Sequence, residues 1–513
     1  MMRKKETHYA LGLAFLFLAI GAYTTSHHEM WRDEIQAWLL ARDSASVFEL
    51  FAHLKYEGHP GIWHLCLMPL TRITHSPVIM QVFHLLIATG TVYLFVRYAP
   101  FNRFQKFLFC FGYFVLYEYA VLARNYALGL LLIIVFCILF SERYRRFIWI
   151  GCVLFFLSHT SVHALILTIT IGFALCCEYL YRNWLSKPLA EEIEAIGDKK
   201  SIWIGFALIG IGIITAVLQL NPPADTGFAV EWRFAYDSTE FSNVIKLISR
   251  ALLPIPEFSL NFWNKHQLET YNLFQAIQIP LCCLLILCSI FLLLKRPTAL
   301  LIYLMATFGL LVFFYIKYYG SMRHHGFLFI TFLMIAWIYR DCPEITLPFK
   351  SLSALSQRLF SSFVTFIFVC QFIGGITTVI LEDRYVFSYG KQVAEYIKAE
   401  DMQDMTIVGE VDYAASTIVG YLEKDEIYYV HGSRFGSFVR WDDVRMPDVD
   451  IPDDQVLKEA SILRTQTAQD LLIIMNRSLD PELRAQHNLT FLTQFTGSIV
   501  DDEGFYLYLM PIP

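Results

Sequence analysis

The sequence predicts a polytopic α-helical membrane protein that ends in an extracytoplasmic α/β domain. The first observation is composition: 56% of the 513 residues are hydrophobic and only 17% are charged, unlike an ordinary soluble chain. The second is a series of apolar runs long enough to cross about 30 Å of hydrocarbon. The third is a polar tail in which short β-branched runs alternate with polar helical stretches, as in a small α/β domain.

We predict eleven membrane spans, because a helix needs roughly 20 mostly apolar residues to cross the hydrocarbon. The short, closely joined runs between residues 105 and 180 are typical of helical hairpins. The predicted spans lie near residues 8–25, 77–97, 105–121, 125–140, 147–159, 161–180, 202–220, 272–294, 298–316, 324–339 and 359–380. They form a predicted transmembrane domain over 1–380, and 381–513 forms the α/β domain.

The distribution of Lys and Arg predicts the orientation, because these residues accumulate in short cytoplasmic loops. Arg3, Lys4 and Lys5 precede the first span, which we interpret as a retained signal anchor, with a cleaved signal peptide as the alternative. Basic residues recur in the loops on the same side of the membrane. We therefore predict a multi-pass protein of the inner (cytoplasmic) membrane with a cytoplasmic N-terminus. Two long loops, 26–76 and 221–271, and the C-terminal domain then lie outside.

Charge and cysteine usage argue against several other classes of protein. The net charge is −6 and no basic stripe is present, so nucleic acid is not an expected partner. All eleven cysteines precede residue 371 and most lie in apolar runs, as small buried hydrophobic residues do. Because no Cys-x-x-Cys pair occurs, no zinc site is predicted.

Two adjacent carboxylates, Asp33 and Glu34, follow the first span directly. Trp31, Ile35 and Trp38 recur at helical spacing, which predicts an amphipathic helix along the membrane interface. A carboxylate among aromatic rings in a low-dielectric place has its basicity raised. The alternative is that Asp33 only caps and charges the first turn of that helix.

A defined turn is predicted later in the same loop. Gly58, Pro60 and Gly61 enforce this turn at the membrane surface. Lys55 and His59 flank it, and their side chains are candidate phosphate contacts. The loop therefore combines carboxylates with cationic or imidazole groups at one surface.

The Trp-Arg-Asp-Glu segment at 31–34 and the Gly-His-Pro-Gly turn at 58–61 resemble polytopic glycosyltransferases of the C type. This family includes protein O-mannosyltransferases and the lipid A aminoarabinose transferase. The resemblance implies transfer of a sugar from a polyprenyl-phosphate carrier to a glycan, lipid or protein acceptor on the outer side. It also implies that Asp33 is the catalytic base. His59 takes the place of a residue, often lysine, that lies near the lipid phosphate.

The end of the third predicted span carries a second group of candidates. An ionisable residue at membrane depth is a functional hypothesis by default. Glu118 takes the place of a second acidic residue of the family, and Arg124-Asn125-Tyr126 resembles its Arg-x-Tyr motif. We expect Glu118 and Tyr126 to contact the sugar or acceptor and Arg124 to contact phosphate. The alternative is a structural ion pair between Glu118 and Arg124.

Further candidates come from later external segments. His159 and His163 lie four residues apart, on one face if the helix continues through them. We favour a polar cavity lining, with His163 near the sugar, or hydrogen-bonded interfacial histidines, over a metal half-site. Asp225 opens the second long loop and is a candidate acceptor contact. Arg323 and His324 begin a later span, where a guanidinium suits phosphate recognition. The alternative for this last pair is an interfacial anchor of aromatic and basic residues.

These residues predict an inverting transfer in which Asp33 is the base and Glu34 helps to position the acceptor. Sugar transfer from a lipid phosphate needs a base for the acceptor and cations for the departing phosphate. No cofactor is predicted, and the use of a divalent cation is left open. The competing function is a transporter or flippase, which predicts charges at the membrane midplane on broken helices. A structural or sensory protein whose tail binds a partner is a third alternative.

Overall fold

A computed structural model describes residues 2–185, 198–227, 231–345, 350–445 and 451–512. In these residues a long helical part precedes a six-stranded sheet. Each of the eleven predicted spans coincides with helical structure. The predicted fold class is therefore confirmed.

Fifteen α-helices make up the helical part of the described chain. They are α1 (Met2–His27), α2 (Arg32–Arg42), α3 (Val47–His53), α4 (Ile62–Thr71), α5 (Val78–Tyr98), α6 (Arg103–Cys110), α7 (Tyr126–Phe140), α8 (Phe147–Ser158), α9 (Val162–Leu185), α10 (Lys199–Gln219), α11 (Ser238–Leu252), α12 (Asn272–Leu293), α13 (Pro297–Ile316), α14 (Met322–Ile338) and α15 (Lys350–Arg384). In the described residues, seven of these helices are long and apolar enough to cross a membrane: α1, α5, α9, α10, α12, α13 and α15. The chain is a multi-pass membrane protein. The other predicted spans correspond to shorter helices, so the predicted number of eleven stays a prediction.

Helix α14 is short but central, because every residue from Met322 to Ile338 is buried. A helix that is apolar all round belongs in the interior of a bundle. Its first turn carries Arg323, His324 and His325, which places three polar side chains at the end of the helical core. The position of this helix in the interior is what brings these side chains to the site described below.

The predicted span at 105–121 is broken in the structure. Helix α6 ends at Cys110, and a π-helical turn, Tyr113–Glu118, follows. A Cβ atom at Gly375 of α15 would collide with the carbonyl oxygen of Phe111, so glycine allows the last span to approach this break closely. π-helical turns are rare and are found frequently at functional sites.

Helix α2 is present as predicted, but its surroundings differ from the prediction. We predicted a helix lying along the interface, whereas every residue from Glu34 to Arg42 is buried. The helix packs between α4 and a helix of the C-terminal domain, α17 (Asp412–Leu422). The C-terminal domain covers one side of α2 and packs Gly420 of α17 against Ile35, which sequence periodicity alone does not reveal.

The C-terminal part forms one mixed sheet with strand order β3-β2-β1-β4-β6-β5. Its strands are β1 (Thr406–Gly409), β2 (Ile427–Tyr429), β3 (Arg434–Gly436), β4 (Leu471–Met475), β5 (Thr490–Phe495) and β6 (Phe505–Met510). Strand β1 pairs in parallel with β2 and β4, and the remaining pairs are antiparallel.

Helices cover both faces of this sheet. They are α16 (Gly390–Ala399), α17, α18 (Asp453–Thr467) and α19 (Pro481–Gln486). One face shares a core with α2 and α4 of segment 26–76, and the other packs against α18. The C-terminal domain therefore sits directly on the loop that carries Asp33.

Candidate functional site

Asp33 lies in the first turn of α2, and its side chain is 30% exposed. Arg323 donates a hydrogen bond from Nη2 to Oδ2 of Asp33 at 2.9 Å. Nη2 of Arg124 lies 3.5 Å from the same oxygen, and Nη1 of Arg124 donates to the carbonyl oxygen of Asp33. Two guanidinium groups from distant parts of the chain therefore meet at one carboxylate.

Aromatic side chains hold Arg323 in place. Its guanidinium lies 5.1 Å from the ring centre of Trp31 and 5.7 Å from that of Trp263, within the range of cation–π attraction. The hydroxyl of Tyr119, just after the π-helical turn, donates to the carbonyl oxygen of Arg323 at 2.8 Å. Segments 26–76 and 221–271, the π-helical turn and α14 thus determine together where this cation lies.

The direction of the pKa shift of Asp33 differs from the one we predicted. Burial by itself would raise the pKa of Asp33, but Arg124, Arg323 and Arg32 outweigh burial and hold the pKa below its usual value. The predicted increase in basicity is therefore wrong for the protein without substrates. The carboxylate is ionised at neutral pH, which is the form that can accept a proton.

Glu34 lies in a different environment, because it is fully buried. Its Oε1 accepts a hydrogen bond from the backbone N–H of Ala123, and its Oε2 accepts from the backbone N–H of Trp31. His28 donates from Nε2 to Oε2 of Glu34 at 2.9 Å and from Nδ1 to Glu382 at 2.7 Å. The structure therefore does not bring Glu34 to the Asp33 cluster, and its oxygens are occupied.

His28 is a buried cation between two carboxylates. Burial opposes its charge, but Glu34 and Glu382 outweigh burial and raise the pKa of His28 to about 10. Tyr117 of the π-helical turn donates to the second oxygen of Glu382 at 2.6 Å. This network joins the end of α1, helix α2 and the end of α15.

Of the predicted phosphate contacts, His59, Arg124, Arg323 and His324 lie together and Lys55 does not. Nε2 of His59 lies 3.4 Å from Nη2 of Arg124. The backbone N–H of Ser321 donates to Nδ1 of His324 at 2.8 Å, which fixes the ring beside Arg323. Lys55 is exposed on a 3-10 turn at the surface of the protein.

The predicted sugar and acceptor contacts fall in three places. Tyr126 and His163 pack around His324, with ring centres 5.4 Å and 5.0 Å from it. Glu118 accepts hydrogen bonds from Tyr113 at 2.8 Å and Trp263 at 3.0 Å, so it faces these side chains rather than Arg124. Asp225 is exposed and accepts a hydrogen bond from the hydroxyl of Tyr56 at 2.8 Å, away from the cluster.

Several buried polar atoms around Asp33 have no hydrogen-bond partner within the described residues. Buried polar groups in proteins are normally paired, so such a concentration marks a place for a polar ligand. The unpaired atoms include Nε of Arg124, Nε of Arg323, the hydroxyl of Tyr126, both ring nitrogens of His163 and Oε2 of Glu118. The described residues contain no group of three or more His, Cys, Asp or Glu side chains placed to hold a metal ion.

Sequence reasoning missed three residues that line the pocket beside Asp33: Glu57, Trp63 and His64. Gln36 donates from Nε2 to Oε1 of Glu57 at 2.7 Å. Burial raises the pKa of Glu57 to about 7. The turn at 58–61 was the available signal, because it connects Glu57 to the start of α4 and folds both against α2.

No protein-family model matches the sequence, and no curated protein matches it. In structure the chain is similar to ArnT from Cupriavidus metallidurans, solved as a crystal structure bound to undecaprenyl phosphate. The TM-score is 0.48, the sequence identity is 10%, and the similarity covers 98% of each chain. At this level the similarity describes only the general course of the chain. The contacts around Asp33 are the basis for the function proposed next.

Proposed function

We propose that this protein is a membrane glycosyltransferase that moves a sugar from a polyprenyl-phosphate donor to an acceptor on the outer face of the membrane. The carboxylate of Asp33, placed between Arg124 and Arg323 in a partly buried site, is the observation that carries this proposal. Sugar transfer from a phosphate carrier needs a base and a cationic environment side by side. The motif resemblance of the first external loop supports the same chemistry.

In the proposed reaction, Asp33 takes the proton of an acceptor hydroxyl. The acceptor oxygen forms a bond to the anomeric carbon from the face opposite the phosphate, so the configuration inverts. The bond between that carbon and the phosphate oxygen breaks, and its electron pair leaves with the phosphate. Arg323 and Arg124 stabilise the negative charge that develops there, in a site with little water to screen them.

The donor phosphate is proposed to lie at the start of α14. The backbone N–H groups of a first helical turn favour anions, and Arg323 occupies this turn. The unpaired Nε atoms of Arg323 and Arg124 are N–H donors that the described residues leave for a ligand. Tyr126, His163 and His324 surround this position at the end of the helical core, where a lipid carrier arrives from the bilayer.

We further propose that the N-terminus is cytoplasmic, that the membrane is the inner one, and that the domain from residue 381 onward is external. The basic loops support this orientation. The packing of α17 against α2 also supports it, because this domain and the first loop must share one side of the membrane. Asp33 and the C-terminal domain then face the same compartment.

Reconstitution of the full-length protein in lipid nanodiscs tests the proposed activity. Polyprenyl-phosphate sugars labelled in the sugar are supplied together with candidate glycan, lipid and protein acceptors. We expect release of polyprenyl phosphate and movement of the label to one acceptor class, with inverted anomeric configuration. A folded protein that binds these donors but never moves the label would contradict the proposal.

A further inference from the structure

The first turn of α2, which carries Asp33, lacks an ordinary helix cap. The first N–H groups of a helix have no partner inside it, so a side-chain acceptor on the preceding residue normally binds one of them. Here the preceding residue is Trp31, whose indole can only donate, and it makes no capping hydrogen bond. The N–H groups at the start of this helix therefore need acceptors from elsewhere in the molecule.

Glu503 of the C-terminal domain supplies one of these acceptors. Its Oε1 accepts a hydrogen bond from the backbone N–H of Arg32 at 3.1 Å, across 471 residues of sequence. Glu503 is fully buried and lies just before strand β6. A carboxylate at the start of a helix also interacts favourably with the helix dipole. Glu503 thus makes the contact of a helix cap, although it belongs to another domain.

The same loop of the C-terminal domain also binds the side chain of Arg32. Nη1 of Arg32 pairs with Oδ1 of Asp502 and lies 3.6 Å from Oε1 of Glu503. The guanidinium lies 4.8 Å from the ring centre of Tyr413 on α17, within the range of cation–π attraction. The cation next to Asp33 in the sequence is thus paired with the C-terminal domain.

Two further contacts fix the chain on either side of this turn. The backbone N–H of Met30 donates to the hydroxyl of Tyr421 at 2.7 Å. Gln36 donates to the carbonyl oxygen of Val439 at 2.8 Å and accepts from its N–H at 2.9 Å. The C-terminal domain therefore binds α2 at its start and one turn later. The bond from Glu503 is the one made to the residue directly before Asp33.

We propose that Glu503 is a positioning residue for the transfer reaction, because as a cap contributed by the C-terminal domain it orients the first turn of α2 and the carboxylate of Asp33. The proposal rests on the proposed function. Glu503 does not touch the substrates and acts through the backbone N–H of Arg32. A misplacement of about 1 Å lowers a rate by about 10²-fold, so loss of the cap should lower kcat rather than donor affinity.

Two substitutions at this position separate the cap from the bulk of the side chain. Glu503→Leu keeps a similar volume but has no acceptor for the N–H of Arg32. Glu503→Gln keeps the carbonyl oxygen, and its neutral amide is a close mimic because burial raises the pKa of Glu503 to about 7. Asp501→Leu, the same kind of change at an exposed acid of this loop, is the matched control.

Hydrogen exchange, followed by mass spectrometry on the full-length protein in nanodiscs, measures the cap directly. In Glu503→Leu, the peptide that covers residues 30–36 should exchange about 5-fold faster, which corresponds to the usual effect of one helix cap. Glu503→Gln and Asp501→Leu should exchange like the wild type. Unchanged exchange in Glu503→Leu would overturn the role of Glu503 as a cap.

Label transfer from polyprenyl-phosphate sugars measures the consequence for the reaction. In Glu503→Leu, kcat should fall by about 10- to 10²-fold while the donor dissociation constant changes less than about 2-fold. Glu503→Gln should restore most of kcat. Val456→Ala, in the core on the opposite side of the sheet, controls for a general loss of stability of the domain. Equal losses of kcat in Val456→Ala and Glu503→Leu, at equal unfolding temperatures, would overturn the positioning role.

The same measurements in an Arg32→Gln background test whether Glu503 acts through the backbone. This substitution removes the guanidinium but keeps the N–H, so adding Glu503→Leu should lower kcat by the same factor as before. If Glu503→Leu caused no further loss in this background, the ion pair alone would matter and the cap would be overturned.

The outcome is separable from that of the proposed function, because hydrogen exchange does not require activity. Faster exchange of residues 30–36 with unchanged kcat would overturn the positioning role and leave the glycosyltransferase intact. No transfer by the wild type from any donor would overturn the proposed function and the positioning role with it. The exchange rates would then still decide whether Glu503 caps α2.

Discussion

Asp33 and Glu34 are neighbours in the sequence, but they belong to two different regions of the molecule. Successive helical residues point about 100° apart, so adjacent side chains on α2 face different surroundings. Asp33 faces a pocket and keeps part of its surface open. Glu34 faces the interior, where His28 and two backbone N–H groups occupy both oxygens. Asp33 is therefore accessible for a reaction, whereas Glu34 stabilises the packing of the helices around it.

The cations of the two regions differ in the same way. Arg323 and Arg124 retain N–H groups that are unpaired in the described residues, so they can also bind a ligand. Both ring nitrogens of His28 are hydrogen-bonded, one to Glu34 and one to Glu382, so neither can bind a ligand. We therefore expect substitutions in the first region to impair chemistry and substitutions in the second to impair folding.

The largest effect should come from Asp33→Asn. The amide keeps the size of the side chain but cannot take a proton, so kcat should fall by about 10²- to 10⁴-fold. Donor binding and the thermal unfolding temperature should stay close to those of the wild type. Initial rates of label transfer in nanodiscs measure the loss, with Asp425→Asn, an exposed residue outside the site, as the matched control.

Near-normal transfer by Asp33→Asn would remove Asp33 as the base. From sequence alone, Glu34 would be the next candidate. The structure instead favours Glu57, because Glu57 lines the same pocket while Glu34 is enclosed by its hydrogen bonds. The double variant Asp33→Asn with Glu57→Gln would decide whether the two carboxyl groups substitute for each other.

Arg323→Ala should have the next largest effect, about 10²-fold in kcat/KM, which is typical for the loss of one charge-stabilising donor. Both donor affinity and kcat should fall, because a phosphate contact acts before and during bond cleavage. Arg323→Lys should restore only part of the activity, since an ammonium lacks the planar pair of N–H donors. Arg340→Ala, which removes an exposed arginine, is the control. A change in acceptor affinity alone would contradict the phosphate role.

His28→Gln should affect stability more than chemistry. Removing the cation leaves Glu34 and Glu382 buried together, and breaking such a pair typically costs about 3–5 kcal/mol. His27→Gln, the exposed neighbour, should be neutral. Thermal unfolding of the purified protein measures both, and activity per folded molecule should change little. Loss of activity at unchanged stability would place His28 in the chemistry instead.

The same network gives a pH dependence with a definite sign. The pKa of His28 is raised from 6.5 to about 10, so its contribution to stability is complete below pH 6.5 and disappears as the pH rises through about 10. The unfolding temperature of His28→Gln should therefore not show the decrease that the wild type shows as the pH rises through about 10.

Much of the fold could be predicted because it depends on local properties. Apolar length placed each predicted span on helical structure, and β-branched runs located four of the six strands, β1, β2, β4 and β6, but not β3 and β5. The break at Phe111 and Gly112 could not be predicted in this way, since it depends on the close approach of α15. The burial of α2 also depends on a domain that begins more than 300 residues later in the chain.

Individual residues of the site could be predicted from the sequence, but the contacts between them could not. Asp33, Arg124 and Arg323 each stood out because each is a charged residue at one end of an apolar run. That Arg323 bonds to Asp33, 290 residues away, required the three-dimensional arrangement. Trp63 and His64 were missed, because an aromatic pair at the start of an apolar helix is ordinary until it is known that the indole N–H of Trp63 and Nδ1 of His64 are buried without partners in the described residues.

The hydrogen bond between Arg323 and Asp33 has a kinetic consequence. A phosphate that takes the N–H groups of Arg323 removes one of the positive charges that keep Asp33 a weak base. The proposed site therefore implies a compulsory order, with donor before acceptor. Until the donor is present, the guanidinium of Arg323 keeps the pKa of Asp33 low. Once the donor is bound, the same guanidinium stabilises the charge of the leaving phosphate.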